Sequence, residues 1–123
     1  MTAPADDGRE PTVVLAEATG YLALTATRKL YDEQPDLWKL GEHGRARTLE
    51  DFTHHLRMLA GLSPSVFAAH VAYCDGLWTS RGFPRKWLDD AWRILDDVLR
   101  EELPPRVHEP ARALLRTAMW SAG

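Results

Sequence analysis

Apolar side chains recur every three or four residues along most of the chain, as they do on one face of an α-helix. The segment between Pro84 and Pro104 is the most regular, with Leu88, Trp92 and Leu95 among its apolar positions. No segment alternates apolar and polar residues with the period of two that a half-buried strand shows, and β-branched residues are sparse. The pattern therefore predicts an all-α fold.

Proline, glycine and capping residues divide the chain into predicted helices. Ser63 and Pro64 form an N-cap and first-turn pair, and Gly82 is the expected C-cap of the same helix. Thr48 and Asp51 have capping-box spacing, which predicts that the second helix begins there. The predicted helices span 12–31, 48–61, 64–81, 84–103 and 109–120, with a short helical turn at 36–40.

The connectors between these helices are short and rich in glycine and proline, which is typical of a bundle or of globin-like packing. A chain of 123 residues is long enough for one domain with a substantial core. We therefore predict a single globin-like bundle of about five to six helices over residues 11–123, preceded by a disordered polar tail at 1–10.

Charge and composition narrow the classes of partner. The net charge is −3, and basic residues are interleaved with acidic ones, which argues against nucleic-acid binding. No apolar run is long enough to span a membrane, and the start of the chain lacks the pattern of a signal peptide. The single cysteine, Cys74, excludes an internal disulfide and suits a reducing compartment, so we expect a cytoplasmic protein.

Catalytic motifs are absent from the sequence. It contains no glycine-rich phosphate loop, no H-E-x-x-H, no C-x-x-C and no G-x-S-x-G. The adjacent carboxylates at 89–90 and 96–97 fall on an outer helix face and are expected to be solvated. A binding or sensing protein is therefore expected rather than an enzyme.

His55 lies beside the apolar face of the second helix, next to Phe52 and Leu59. Asp51 is one turn earlier, in position to accept the ring N–H of His55 and fix its tautomer. His54 points the other way on the same helical wheel. His55 and Asp51 thus have the form of an oriented histidine at the edge of an apolar pocket; the alternative is an ordinary surface pair.

His70 falls inside the apolar face of the third helix, which also carries Phe67, Cys74 and Trp78. It is either a pocket residue or a core histidine satisfied by a carbonyl or a water. Cys74 is either a thioether attachment point for a pigment or a small buried hydrophobe.

Basic residues cluster before the second helix, at Arg45 and Arg47, and after the third, at Arg81, Arg85 and Lys86. Either cluster can clamp the carboxylates of a ligand or form a solvated rim.

One series of short motifs resembles a known family. Gly41-Glu42-His43-Gly44-Arg45, Asp51, His55-Leu56 and Leu59 are followed by Phe67, Val71, Leu77, Arg81-Gly82-Phe83-Pro84 and an acidic helix ending at Leu103-Pro104. This order looks like the globin- or phycobiliprotein-like helical domain of bacterial photoreceptors of the photocobilin type, over about residues 12–120.

The resemblance implies an open-chain tetrapyrrole such as biliverdin, or haem as in related globin-like domains. The resemblance implies that His55, Asp51 and Arg45 are pigment-binding residues, and that His55 is the iron ligand if the pigment is haem. His70 and Cys74 rest on their helical positions alone. The chain lacks a D-x-H-x-x-G motif and the α/β domain that holds cobalamin, so cobalamin is expected only from a separate protein.

The leading hypothesis is a tetrapyrrole-binding sensor domain for light or redox state, in which the pigment lies between the second and third helices. The second hypothesis is a ligand-free module that dimerises or docks on a signalling partner through Trp87 and Trp92 of the fourth helix. An enzyme that modifies a tetrapyrrole is the third.

Overall fold

The structure, a computed structural model, describes residues 8–122 of the chain. Within this range the chain forms five α-helices and a short 3-10 helix, without a strand, so the predicted all-α bundle is confirmed. Residues 1–7 of the predicted tail lie outside the described residues. The helices are α1 (Pro11–Glu33), the 3-10 helix (Pro35–Leu40), α2 (Gly41–Ala60), α3 (Pro64–Ser80), α4 (Arg85–Glu102) and α5 (Pro105–Ala122).

Helix α2 begins at Gly41, well before the predicted start at Thr48. The backbone of Gly41 has a φ of 71°, a left-handed conformation that glycine adopts readily and that lets the chain turn directly from the 3-10 helix into α2. The Thr48 hydroxyl donates to the carbonyl of Gly44 at 3.0 Å, a bond made inside a helix rather than at its start. The predicted capping box of Thr48 and Asp51 is therefore wrong.

Helix α5 also begins earlier than predicted, at Pro105 rather than near Glu109. The carbonyl of Pro104 accepts the N–H groups of Val107 and His108, both at 2.9 Å, and so starts the helix. Pro110 then stands inside the helix and supplies no N–H to it. The predicted stop at Pro104–Pro105 is thus a junction between two helices.

The core is built around α1 and α4. Helix α1 packs mainly against α2 and α4, and α5 packs against α3 and α4. Polar contacts also join α4 to its neighbours. Tyr21 of α1 donates to Glu102 at 2.7 Å, Lys29 pairs with Glu101, and Arg112 of α5 binds Asp96 through two bonds of 2.9 and 3.1 Å. The expectation that the carboxylates at 89–90 and 96–97 are only solvated is therefore wrong for Asp96, and also for Asp90, whose side chain is 14% exposed and accepts from the amide of Gln34.

The α2–α3 turn is short and locally strained. Leu62 has a φ of 53°, which is unusual for a residue other than glycine, while the neighbouring Gly61 has an ordinary φ of −74°. The side chain of Leu62 packs against the core, and its N–H donates to the carbonyl of Leu59 at 2.9 Å. The Ser63 hydroxyl accepts the N–H of Val66, so the predicted N-cap of α3 is confirmed. This turn holds the two helices that carry the candidate site.

Helix α3 ends in a Schellman motif centred on Gly82, as its predicted C-cap role requires. Gly82 has a φ of 68°, its N–H donates to Thr79, and the N–H of Phe83 donates to Trp78. The rings of Trp78 and Phe83 make the accompanying apolar contact, with centroids 5.0 Å apart. The motif fixes the direction in which α4 leaves α3.

No helix within residues 8–122 combines the length and the apolar character that crossing a membrane requires.

Two glycines of this region should respond to alanine in opposite directions. Neither has a neighbour within 4 Å of an added Cβ, so backbone conformation alone decides. Gly82→Ala should lower the free energy of unfolding by about 1 kcal/mol, because an L-residue is strained at positive φ. Gly76→Ala, inside α3, should raise it by about 0.8 kcal/mol through helix propensity. Urea unfolding of the two variants checks this, and equal shifts in one direction would contradict the assigned turn.

Candidate metal centre

Two buried histidines from different helices contact each other at the α2–α3 interface. His55 of α2 and His70 of α3 are joined by a hydrogen bond of 2.8 Å between Nδ1 of the first and Nε2 of the second. Each side chain is less than a tenth exposed. His55 is carried inward because it follows Phe52 by three residues, and both lie on the buried face of α2. His70 follows Phe67 on α3 by the same spacing.

Cys74 adds a thiol to the pair. It lies one turn after His70 on α3, and its Sγ is 3.5 Å from Nε2 of that histidine. Cys74 is also buried. One ligand atom from each of His55, His70 and Cys74 lies within 4.8 Å of the others. Among the residues that the structure describes, these three form the only group of three or more His, Cys, Asp or Glu side chains whose ligand atoms lie close enough together to hold a metal ion.

Aromatic side chains close the core side of the cluster. The ring of Trp92, on α4, lies 4.5 Å from that of His55 and 6.4 Å from that of His70. Phe67 and Phe52 pack beside the two histidines at 6.0 and 6.3 Å. These rings offer neither a carboxylate nor a carbonyl to the imidazoles, and the hydrogen bond between the two histidines pairs one ring nitrogen of each.

A cleft of about 620 Å³ opens on the opposite side of the cluster. His54 lies in its wall, exposed, with its ring centroid 5.0 Å from that of His70. The expectation that His54 points away is therefore wrong, because α3 lies across the sector of α2 between His54 and His55 and both rings reach it. The cleft is lined by Arg47, Leu49, Glu50, Asp51, Thr53, His54, His55, Arg57, His70, Tyr73, Cys74 and Leu77.

Burial keeps the cluster uncharged. Burial, with smaller contributions from the neighbouring His70 and His54, lowers the pKa of His55 to about 3. Burial likewise lowers the pKa of His70 to about 4, with a smaller effect of His54. It raises the pKa of the Cys74 thiol to about 11, with a contribution from the carboxylate of Asp51. At neutral pH the three groups are therefore two neutral imidazoles and a neutral thiol.

The structure does not form the expected hydrogen bond between Asp51 and His55. The Nδ1 atom of His55 is bonded to His70, and its ring faces Trp92. The carboxylate of Asp51 lies in the cleft, 3.9 Å from the guanidinium of Arg47. Burial raises the pKa of Asp51, and the positive charge of Arg47 opposes that rise.

The remaining predicted site residues divide into two groups. Phe52, Leu59 and Phe67 are fully buried behind the histidines and belong to the core. Arg45 and Trp78 are not among the residues that line the cleft. Trp78 instead donates its Nε1–H to the carbonyl of Pro84 at 2.9 Å, across the α3–α4 turn.

Trp92 is the site residue that the sequence analysis missed. Its buried position on α4 follows from helical periodicity, yet no sequence signal links it to a histidine on α2. Because Trp92 is only 2% exposed, it is also not part of an exposed docking strip on α4. The alternative of docking through Trp87 and Trp92 is therefore wrong for Trp92.

Comparison with known proteins gives no match: no family model fits the chain, and neither a curated protein nor a solved structure is similar to it. The resemblance to photocobilin-type helical domains stays a prediction.

The neutral histidines predict a stability that falls in acid. Because the pKa of His55 is lower in the folded protein than the ~6.5 of an unfolded chain, the unfolded state takes up its proton first. The stability of the metal-free protein is therefore full above about pH 6.5 and is lost as the pH falls from there towards the folded pKa. The expected loss at about pH 5 is roughly 2 kcal/mol for this group.

Urea unfolding at neutral and acidic pH measures this loss. His55→Gln should remove part of the pH dependence, because glutamine keeps a polar group beside His70 but takes up no proton. His43→Gln, at an exposed position of α2, should retain all of it. An identical acid dependence in the wild type and His55→Gln would contradict the burial of a neutral imidazole.

Proposed function

We propose that this chain is a helical metal-binding module that takes up a thiophilic transition-metal ion at His55, His70 and Cys74. The single observation that carries the proposal is the convergence of two imidazoles and a thiol, all buried, with ligand atoms within 4.8 Å of one another. Imidazole and thiolate together suit copper and zinc, whereas calcium and magnesium prefer oxygen ligands.

The donor atoms need only a small adjustment to surround an ion. With metal–nitrogen bonds of about 2.0 Å, two ligands of one ion lie roughly 3.3–3.5 Å apart. His55 and His70 have their nitrogen atoms 2.8 Å apart, so a shift of under about 1 Å opens the hydrogen bond for a metal. The thiol of Cys74 loses its proton to cleft water when sulfur bonds to the ion.

Charge balance favours Cu(I) within this class. Two neutral imidazoles and one thiolate give Cu(I) a net charge of zero, and a neutral complex is the least costly to bury beside Trp92. With Zn(II) the same ligands leave one positive charge, and zinc requires a fourth ligand from the cleft. We therefore expect a three-coordinate Cu(I) site.

Titration of the purified protein with Cu(I) against a chromophoric chelator, under anaerobic reducing conditions, tests the proposal. One ion per chain is expected. Cys74→Ser should weaken binding by roughly a hundredfold or more, since even the loss of an outer-shell partner costs 10–100-fold. His43→Gln should bind as the wild type does. X-ray absorption should give two nitrogen ligands and one sulfur ligand.

Circular dichroism shows whether Cys74→Ser keeps its helical content, which separates a lost ligand from a lost fold. A Cu(I) affinity equal in the wild type and Cys74→Ser would overturn the proposal.

Tetrapyrrole binding is the second candidate. It is supported by the cleft, whose volume lies within the usual range for small-molecule sites and whose wall carries Arg47 and Arg57. A bilin or haem would lie in this cleft, with its carboxylates on the arginines and His54 at its face. The space between α2 and α3 is filled by the contact of His55 with His70. Light or redox sensing and a separate cobalamin-binding partner belong to this candidate, whereas a homodimer belongs to the ligand-free interaction module.

An absorption spectrum tests it. Protein produced with both a haem and a biliverdin supply should purify coloured, with a Soret band for haem or broad long-wavelength absorption for a bilin. Arg47→Ala combined with Arg57→Ala should reduce the bound pigment, since the arginine clamp is lost. Colourless protein from both supplies would rule this candidate out.

A further inference from the structure

The cleft adjoins the three-ligand cluster on one side, and aromatic rings cover its core side. Towards the core, the rings of Trp92, Phe67 and Phe52 cover the two histidines. These rings supply no carboxylate or carbonyl that could bind an ion on its way to the cluster. Towards the cleft, the wall that adjoins the cluster carries polar groups. The cleft is therefore a polar approach to the cluster.

His54 occupies the wall of the cleft directly beside the cluster. Its side chain is exposed, and its ring meets that of His70 edge to face at 5.0 Å. His54 is adjacent in sequence to His55, so the exposed histidine and the buried one stand on the same helix. His54 is nevertheless not a member of the compact donor set, which consists of His55, His70 and Cys74.

Asp51 contributes charge at the same place. Its carboxylate lines the cleft one turn before the histidines, and it interacts electrostatically with both His54 and Cys74. A carboxylate in the wall of a cleft raises the local concentration of cations. Arg47 lies 3.9 Å from this carboxylate and offsets part of its charge, so the attraction is local to Asp51 and the neighbouring imidazole of His54.

We infer that His54 is a transient ligand through which the ion passes between the cleft and the buried cluster. This inference rests on the proposed metal site. The ion binds first to the exposed imidazole of His54. His70 then replaces His54 as the ion moves inward, and His55 and Cys74 complete the site. The thiol proton of Cys74 leaves to cleft water, and no electron is transferred.

Rapid-mixing kinetics distinguish a transient ligand from a permanent one. Cu(I) is supplied as its acetonitrile complex, and tryptophan fluorescence reports binding, since Trp92 lies against His55. His54→Ala should slow association and dissociation by the same factor, about tenfold, equivalent to about 1.4 kcal/mol on the barrier. The Kd should stay unchanged, because a transient ligand is absent from both end states.

Two further variants define the cause. His43→Ala, at an exposed position about three turns earlier on α2, should change neither rate. His54→Met should restore both rates in part, because a thioether is also a ligand for Cu(I).

A weaker Kd with faster dissociation in His54→Ala would make His54 a permanent ligand and overturn the inference. Unchanged rates would overturn it as well. In either case tight binding by the wild type leaves the proposed metal site intact, whereas a wild type that does not bind Cu(I) removes both.

Discussion

The hydrogen bond between His55 and His70 is the interaction on which the α2–α3 interface depends. Two imidazoles are buried side by side, and one ring nitrogen of each is paired with the other at 2.8 Å. An unpaired polar group in such a place costs a few kcal/mol, so the loss of either histidine is expected to destabilise the fold by leaving the other without its partner. The pair must also stay neutral, since two adjacent imidazolium ions would repel each other in a medium of low dielectric.

The desolvation that keeps the pair neutral also determines what the site can hold. Trp92 and the two phenylalanines fill the core side, and the contact of His55 with His70 occupies the space between the helices, so an ion enters the proposed site only when that hydrogen bond opens. A ligand set of two neutral imidazoles and one thiolate matches a soft monovalent ion without leaving a buried charge. A larger ligand has room in the outer cleft, where Arg47 and His54 are exposed.

The surrounding bundle holds these groups in place. Helix α4 brings Trp92 against His55, and α4 is in turn joined to α1 by Tyr21 and to α5 by Arg112. The Schellman motif at Gly82 sets the course of α4 after α3. The three candidate ligands stand on helices rather than on loops, so the backbone fixes their relative positions.

The sequence by itself determined the helices and the buried side of each one. Ser63 and Gly82 marked the ends of α3, and periodicity placed His70 and Cys74 on one face. It did not identify the start of α2, which depends on the positive φ of Gly41. Only the tertiary structure decided that His55 meets His70 and Trp92 rather than Asp51. Periodicity gives the angle of a residue around its own helix, whereas contact between helices depends on their relative rotation and axial register, which are set by the packing of the whole core.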